Sequence, residues 1–189
     1  MGGFCYTPVV TVYTLGHSTR SAEELLALVR AHGIGGIADV RRFPASRRHP
    51  QFARETLAET LAAAGVRYDW LPALGGRRAP RPDSPHVAWR EPGFRAYADH
   101  METEEFRAGL ETLLGLAAAR PTAVLCAEAV PWRCHRQLIA DALVVRGVEV
   151  LHILGPGAPR EHTLGRLARL DGDRLVYDAG QLPLGRARR

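Results

Sequence analysis

The chain has 189 residues, enough for one domain, and its hydrophobic fraction of 46% is ordinary for a globular protein. All 25 basic residues are arginines, which excludes lysine chemistry, and the net charge of +5 permits an anionic partner. No apolar run approaches the length of a membrane span, and the first residues lack the features of a signal peptide. We therefore expect a cytoplasmic protein that does not bind membranes, and an odd count of three cysteines favours reduced thiols.

Strand-like and helix-like segments alternate along the chain. The predicted strands are residues 9–15, 34–40, 66–71, 122–126 and 148–153. A capping box from Ser21 to Glu24 begins the first predicted helix, and Gly33 ends it. Further helices are predicted at 51–64, at 94–119 with a break near Glu102, and after the fourth strand up to Gly147.

This repeated order of strand, loop and helix predicts an α/β fold, with a mostly parallel sheet and helices on both faces in a single domain, 1–189. The strand–loop–helix pattern continues to residue 153 and is followed by a Gly- and Pro-rich turn at 155–159. The C-terminal extension, 154–189, is expected to add a short helix near 164–170 and a small edge strand at 175–177. The loop from Pro72 to Pro92 is long for a compact domain and predicts a lid or binding loop.

Chemically capable side chains concentrate between the fourth strand and the following helix, the kind of turn where α/β sheets place their sites. This segment contains Cys126, Glu128, Cys134, His135 and Arg136. Other candidates follow the first three strands, namely His17, Asp39, Arg41, Ser46, Arg47, Gly75 and Gly76. Because parallel strands end at one edge of the sheet, we expect His17, Asp39, Arg41 and Glu128 around one concave pocket.

Several of these segments together resemble the DUF488 family. The resemblance rests on residues 14–18, on 39–41 with Pro44 and Ser46-Arg47, on 74–76, and on Cys126-x-Glu128 with 134–136. It covers about Val12 to Ile153. The family is one of unknown function, so the resemblance implies a common α/β domain and a shared site but no particular activity.

Among the candidate catalytic residues, Glu128 is favoured. A carboxylate just beyond a buried strand is expected to be partly desolvated, which raises its pKa toward the range useful for proton transfer. Asp39 is its expected acid/base partner. His17 is either a further catalytic residue or a residue that hydrogen-bonds a loop.

The cysteines are expected to differ. Cys134, near a helix N-terminus and beside His135, is the candidate thiolate, whereas Cys126 is expected to be a small buried residue. These three residues and Glu128 could surround a metal ion. Against that, a helix would point Cys134 and His135 to different sides, and the spacing of the cysteines is not a usual zinc pattern. No metal or cofactor is therefore predicted.

Substrate binding is assigned to guanidinium groups, an aromatic ring and small loop residues. The predicted binding residues are Arg41, Ser46, Arg47, Gly75, Gly76, Trp132 and Arg136, with Arg42, Arg48, Arg77 and Arg78 as further phosphate ligands. The alternatives for the arginines are a solvated charged surface and the codon usage of a GC-rich genome. For Trp132 the alternatives are base stacking and an ordinary packing contact.

Three functions follow from this pattern. The first is an enzyme, a hydrolase or transferase, that acts on a phosphate-bearing substrate, above all a nucleotide or nucleic acid, through carboxylate acid/base chemistry. Cleavage of a glycosidic bond by two carboxylates is one such reaction. The second is a non-catalytic nucleic-acid-binding module, and the third is a metal- or thiol-dependent redox protein centred on Cys126, Cys134 and His135.

Overall fold

A computed structural model describes residues 10–172 and 174–178. Five parallel strands and one antiparallel edge strand form a sheet in the order β3-β2-β4-β1-β5-β6. These strands are β1 Thr11–Gly16, β2 Gly36–Asp39, β3 Arg67–Trp70, β4 Thr122–Cys126, β5 Glu149–Ile153 and β6 Arg160–Glu161. The helices are α1 Ala22–Ala31, α2 Arg54–Ala63, α3 Pro92–Met101, α4 Glu104–Ala119 and α5 Arg136–Val144. The predicted α/β fold is therefore confirmed.

Helices cover both faces of the sheet because buried side chains alternate along the strands. In β4, Val124 and Cys126 belong to the core beneath α3, α4 and α5, whereas Ala123 and Leu125 face α1 and α2. All five residues of β4 are buried, as expected for a central strand covered on both sides. None of the helices within the described residues is long and apolar enough to cross a membrane.

The break predicted near Glu102 is confirmed, because α3 ends at Met101 and α4 begins at Glu104. The hydroxyl of Thr103 caps α4 by accepting a hydrogen bond from the backbone N–H of Phe106 at 3.2 Å. The capping box at Ser21 and Glu24 is likewise present at the start of α1.

The prediction of a helix near 164–170 is wrong. Residues 169–171 instead form β7, Arg169–Asp171, which pairs with β8, Arg174–Val176, in a separate antiparallel hairpin. Leu167 and Leu170 are exposed, so the leucine spacing that predicts a helix here has no apolar partner to pack against. Position 9 of the first predicted strand and the extension beyond 178 lie outside the described residues.

The register of the parallel strands brings the predicted site residues to one edge. Gly16, at the end of β1, is the partner of Cys126 in β4, and Asp39, at the end of β2, is the partner of Leu125. The loops that follow these three strands therefore leave the same end of the sheet.

Candidate active site

A cavity of about 380 Å³ opens at this edge of the sheet. Its basic lining residues are Arg41, Arg42, Arg77 and Arg133, and its aromatic ones are Phe43, Phe94 and Tyr97. Further lining residues are Gly76, Glu91, Gly93, Cys126, Ala127, Glu128, Cys134 and His135. Positive charge, aromatic rings and a cluster of thiol and imidazole groups thus share one concave surface.

The cluster consists of Cys126, Cys134 and His135, whose side-chain donor atoms all lie within 4.8 Å of one another. The Nδ1 atom of His135 lies 3.6 Å from the Cys134 sulfur and 3.9 Å from the Cys126 sulfur. The expectation that Cys134 and His135 point to different sides of a helix is wrong. Both residues precede α5, and Cys134 has an extended backbone that turns its side chain toward His135.

The two thiols differ in acidity as the sequence predicts. The pKa of Cys134 is well below its ordinary value because its sulfur accepts a hydrogen bond from the Cys126 thiol, and because His135 and the Arg136 charge stabilise the thiolate. The pKa of Cys126 is raised by the same hydrogen bond to Cys134 and by burial. The thiolate therefore forms at Cys134 in preference to Cys126.

Arg136 lies beneath the cavity and is not one of its lining residues. Its side chain is 0% exposed, and its Nη2 group donates a hydrogen bond to the main-chain oxygen of Glu128. Among the described residues, its Nε and Nη1 groups have no hydrogen-bond partner. Its charge acts on both cysteines, so it supports the cluster from below, whereas direct substrate binding by Arg136 remains a prediction.

Arg41 is held in place by Asp39 and His17. Its Nε and Nη2 groups donate to the Asp39 carboxylate at 2.8 and 2.5 Å, and Nη1 donates to the Phe52 carbonyl at 2.8 Å. Asp39 is fully buried and also accepts a hydrogen bond from the Tyr68 hydroxyl at 2.7 Å. Asp39 is absent from the cavity lining, so this geometry supports a positioning role and not the predicted acid/base role.

His17 is a neutral partner of Arg41. Burial and the Arg41 charge lower the pKa of His17 to about 4. Its Nδ1 atom lies 3.0 Å from the Ser18 carbonyl, which can only accept, so Nδ1 carries the proton and Nε2 accepts from Arg41 at 3.3 Å. Its ring stacks on Phe52, and, like Asp39, it does not line the cavity.

Glu128 lines the cavity, but the expectation that it is buried with a polar partner is wrong. Its side chain is exposed, and among the described residues only its main-chain oxygen, not its carboxylate, makes a hydrogen bond. The loop that follows β4 carries the residue outward before turning back at 131–133. A catalytic role for Glu128 therefore remains a prediction, without the desolvation on which it was based.

The other predicted binding residues divide between the cavity and its surroundings. Gly76 lines the cavity against His135, whereas Gly75 is buried under Arg42. The Ser46 hydroxyl accepts a hydrogen bond from the His49 backbone at 3.0 Å. Arg47 is exposed outside the cavity, and Trp132, 50% exposed, lies in the wall of a different cavity beside Arg160.

The long loop after β3 contributes both of its ends to the cavity, as a binding loop should. Gly76 and Arg77 lie at its beginning and Glu91 at its end. Arg77 has a φ of 58°, an unfavourable conformation for a residue with a side chain. Such strain concentrates at functional sites, where the surrounding structure imposes it.

Among the basic and aromatic residues of the cavity, sequence reasoning missed four, namely Arg133, Phe43, Phe94 and Tyr97. Phe43 is 64% exposed, which is unusual for a large apolar side chain. Phe94 and Tyr97 are three residues apart in the first turns of α3, so the helix presents both to one side. That spacing, next to a long loop, is the signal that could have identified them.

The model of one protein family, described as a domain of unknown function, DUF488, matches residues 21–143. No curated protein matches the chain. No solved structure matches it either.

Proposed function

The chain belongs to the DUF488 family, a domain of unknown function, and we propose that it is an enzyme whose cavity binds a small phosphate-bearing substrate, a nucleotide above all. The reaction is a hydrolysis or a group transfer at the cluster of Cys126, Cys134 and His135. The observation that carries this proposal is the coincidence of that cluster with four arginines in one cavity.

The arginines supply the affinity for the phosphate. Arg77 and Arg133 are exposed, and among the described residues their guanidinium groups make no hydrogen bond or ion pair. Arg41, in contrast, is committed to Asp39 and His17 and acts as a fixed positive charge. A guanidinium group with free donors binds phosphate in a bidentate manner, which fixes the orientation of the substrate as well as its position.

The aromatic residues suit a ring attached to that phosphate. Phe43 is exposed at the rim beside Arg42, whose guanidinium carbon lies 5.8 Å from the ring centre. A base can stack on such a ring with little dependence on its identity. A volume of about 380 Å³ falls in the range of small-molecule sites, roughly 300–1,000 Å³, which favours a mononucleotide over a longer chain.

Three side chains of the cavity lining could transfer a proton, namely His135, Glu128 and Glu91. His135 lies beside Cys134, and Glu128 lies in the exposed part of the lining. Cleavage of a glycosidic bond would need two carboxylates, but the predicted partner of Glu128, Asp39, is buried under Arg41. Glu91 also lines the cavity but is not part of the cluster of Cys126, Cys134 and His135. We therefore favour thiol or imidazole chemistry at the cluster, with Glu128 as the accompanying carboxylate.

Replacing Arg77 or Arg133 by glutamine is expected to weaken the binding of adenosine 5′-monophosphate about tenfold each, because each change removes a charge-assisted hydrogen bond. Isothermal titration calorimetry on the full chain measures this. Arg30→Gln is the matched control, since Arg30 is an exposed arginine in the last turn of α1 at the other end of the sheet. Equal affinities in all three variants would contradict the proposed site.

A non-catalytic nucleic-acid-binding module predicts a different result. Its affinity for single-stranded nucleic acid would exceed that for a mononucleotide and would fall steeply with salt, since each neutralised phosphate releases counterions. The exposed Arg47 and Arg48 would then matter more than Arg77. Chromatography of a nucleotide panel incubated with the protein separates enzyme from module: turnover that is lost in Cys134→Ser supports the enzyme.

A further inference from the structure

We infer that Cys126, Cys134 and His135 form a zinc site, with the two sulfur atoms and the Nδ1 atom as ligands and the fourth position open to the cavity. The inference deepens the proposed function. The catalytic role of the metal rests on that function, whereas metal binding rests only on the three ligand residues. It reverses the expectation, drawn from the spacing of the cysteines, that the chain holds no metal.

The distances between the donor atoms match a tetrahedral centre. With Zn–S bonds of about 2.3 Å and a Zn–N bond of about 2.0–2.1 Å, tetrahedral angles separate sulfur from nitrogen by about 3.6 Å. Nδ1 of His135 lies 3.6 Å from the Cys134 sulfur and 3.9 Å from the Cys126 sulfur. The two sulfur–nitrogen distances therefore differ from the tetrahedral value by at most about 0.3 Å, and the two sulfurs lie within 4.8 Å of each other.

The backbone leaves room beside the imidazole ligand. A Cβ atom at position 76 would lie 2.9 Å from Nδ1 of His135, so a side chain there would crowd the nitrogen that faces the two sulfurs. Glycine keeps that side of the ring clear. A glycine at position 76 therefore suits a backbone that packs against a metal ligand. A position that only connects the loop would not need one.

The buried positive charge of Arg136, beside the cluster, favours the thiolate forms of the cysteines. Arg136 is fully buried beneath the cysteines and has no carboxylate partner among the described residues. A buried positive charge favours the ionised form of acidic groups near it, and Cys134 precedes Arg136 by two residues in the chain. Two thiolates would offset the charge of a divalent ion, so the Arg136 guanidinium would remain as the net positive charge of the centre, which favours an anionic substrate.

Two thiolates and one imidazole with a fourth position open are the ligand set of a catalytic zinc centre, not of a closed structural one. All three ligand residues line the cavity, so the open position faces the space where Arg77 and Arg133 would hold a phosphate. Zinc bound there would polarise a substrate oxygen or lower the pKa of a bound water. A bound zinc would then supply the Lewis acid or the activated water for the hydrolysis or transfer, in place of the thiol and imidazole groups that it engages as ligands.

The test is metal binding by the full chain in the absence of any nucleotide. After chelation and reduction, the protein is titrated with Zn²⁺ and, separately, with Co²⁺, whose thiolate charge-transfer absorption reports sulfur ligands. We expect one ion per chain and a cobalt spectrum typical of a tetrahedral site with two thiolates. Cys126→Ser, Cys134→Ser and His135→Gln should each weaken Zn²⁺ binding more than about 100-fold, beyond the 10- to 100-fold cost of changing residues that only support ligands.

Cys5→Ser is the control, because it removes the third thiol of the chain and should leave the affinity unchanged. Circular dichroism shows whether each variant folds, and the wild-type cobalt spectrum stands independently if one does not. Binding of less than one ion per ten chains, or equal affinity in Cys134→Ser and wild type, would overturn the inference. It would also be overturned if the reduced protein took up no metal but formed a Cys126–Cys134 disulfide when exposed to air. Loss of nucleotide binding with zinc retained would refute only the proposed function.

Discussion

Replacing Asp39 by alanine is expected to lower the free energy of unfolding by about 3–5 kcal/mol, because it leaves the buried charge of Arg41 without its partner. Asp39 accepts hydrogen bonds from Arg41 and from Tyr68, and both members of the ion pair are buried. Urea unfolding at neutral pH measures the change. Arg41 should also leave its position in the cavity wall, so nucleotide affinity should fall together with stability.

The adjacent strand provides a matched control for this result. Asp69 pairs with Arg67 across the same two-residue spacing in β3, at 2.8 Å, but on an exposed surface. Solvent screens such a pair, so Asp69→Ala should change stability little. If Asp39→Ala were no more destabilising than Asp69→Ala, the buried ion pair could not be what holds Arg41 in place.

Replacing Gly16 by alanine is expected to destabilise the protein by about 3 kcal/mol, at the upper end of what overpacking costs. A Cβ atom at this position would lie 1.8 Å from the main-chain oxygen of Glu128, so the loop after β4 would have to move. That oxygen is also the acceptor for Arg136. Thermal unfolding measures the stability, and alkylation of Cys134 reports whether the cluster has moved.

Gly115→Ala is the control, for which we expect a change in stability of the opposite sign. Gly115 lies inside α4, and an added Cβ would meet no atom within 4 Å. Alanine in a helix interior should therefore stabilise the protein by about 1 kcal/mol. A Gly16→Ala protein as stable as the wild type would mean that the end of β1 does not pack closely on the loop that carries the cluster.

The sequence predicts the sheet well because each strand is a short apolar run bounded by turn residues. β4 is found at the predicted residues, since a buried, mostly apolar run of five residues is too short for a typical helix. The antiparallel strand β6 has only two exposed residues, Arg160 and Glu161, and no apolar pattern marks it. The predicted helix near 164–170 fails for a related reason, because leucine spacing predicts a helix only where the leucines are buried.

The position of the candidate site could be predicted from the sequence, but the role of each residue in the site could not. The positions after β1, β2 and β4 do converge, because parallel strands end at one edge. The direction of each side chain depends on loop conformation, which no periodicity encodes. Asp39 turns inward to Arg41 and Glu128 turns outward to solvent, although both follow buried strands.

The cluster of Cys126, Cys134 and His135 likewise depends on a local backbone conformation that the sequence pattern does not give. Cys134 and His135 are adjacent in sequence, and a helical backbone would have separated their side chains. Helix α5 begins only at Arg136, two residues after Cys134, so the two side chains meet instead. A difference of two residues in the start of a helix thus decides whether three donor atoms converge, and helix boundaries are the least certain part of any sequence-based prediction.

A crystal structure of the protein soaked with adenosine 5′-monophosphate tests the proposed site most directly. We predict that the phosphate lies between Arg77 and Arg133, with the reacting bond facing Cys134 and His135 and the base beside Phe43. A nucleotide on the exposed surface around Arg47 and Arg48, or an empty cavity at saturating nucleotide, would contradict the proposal that this cavity is an active site for phosphate-bearing substrates.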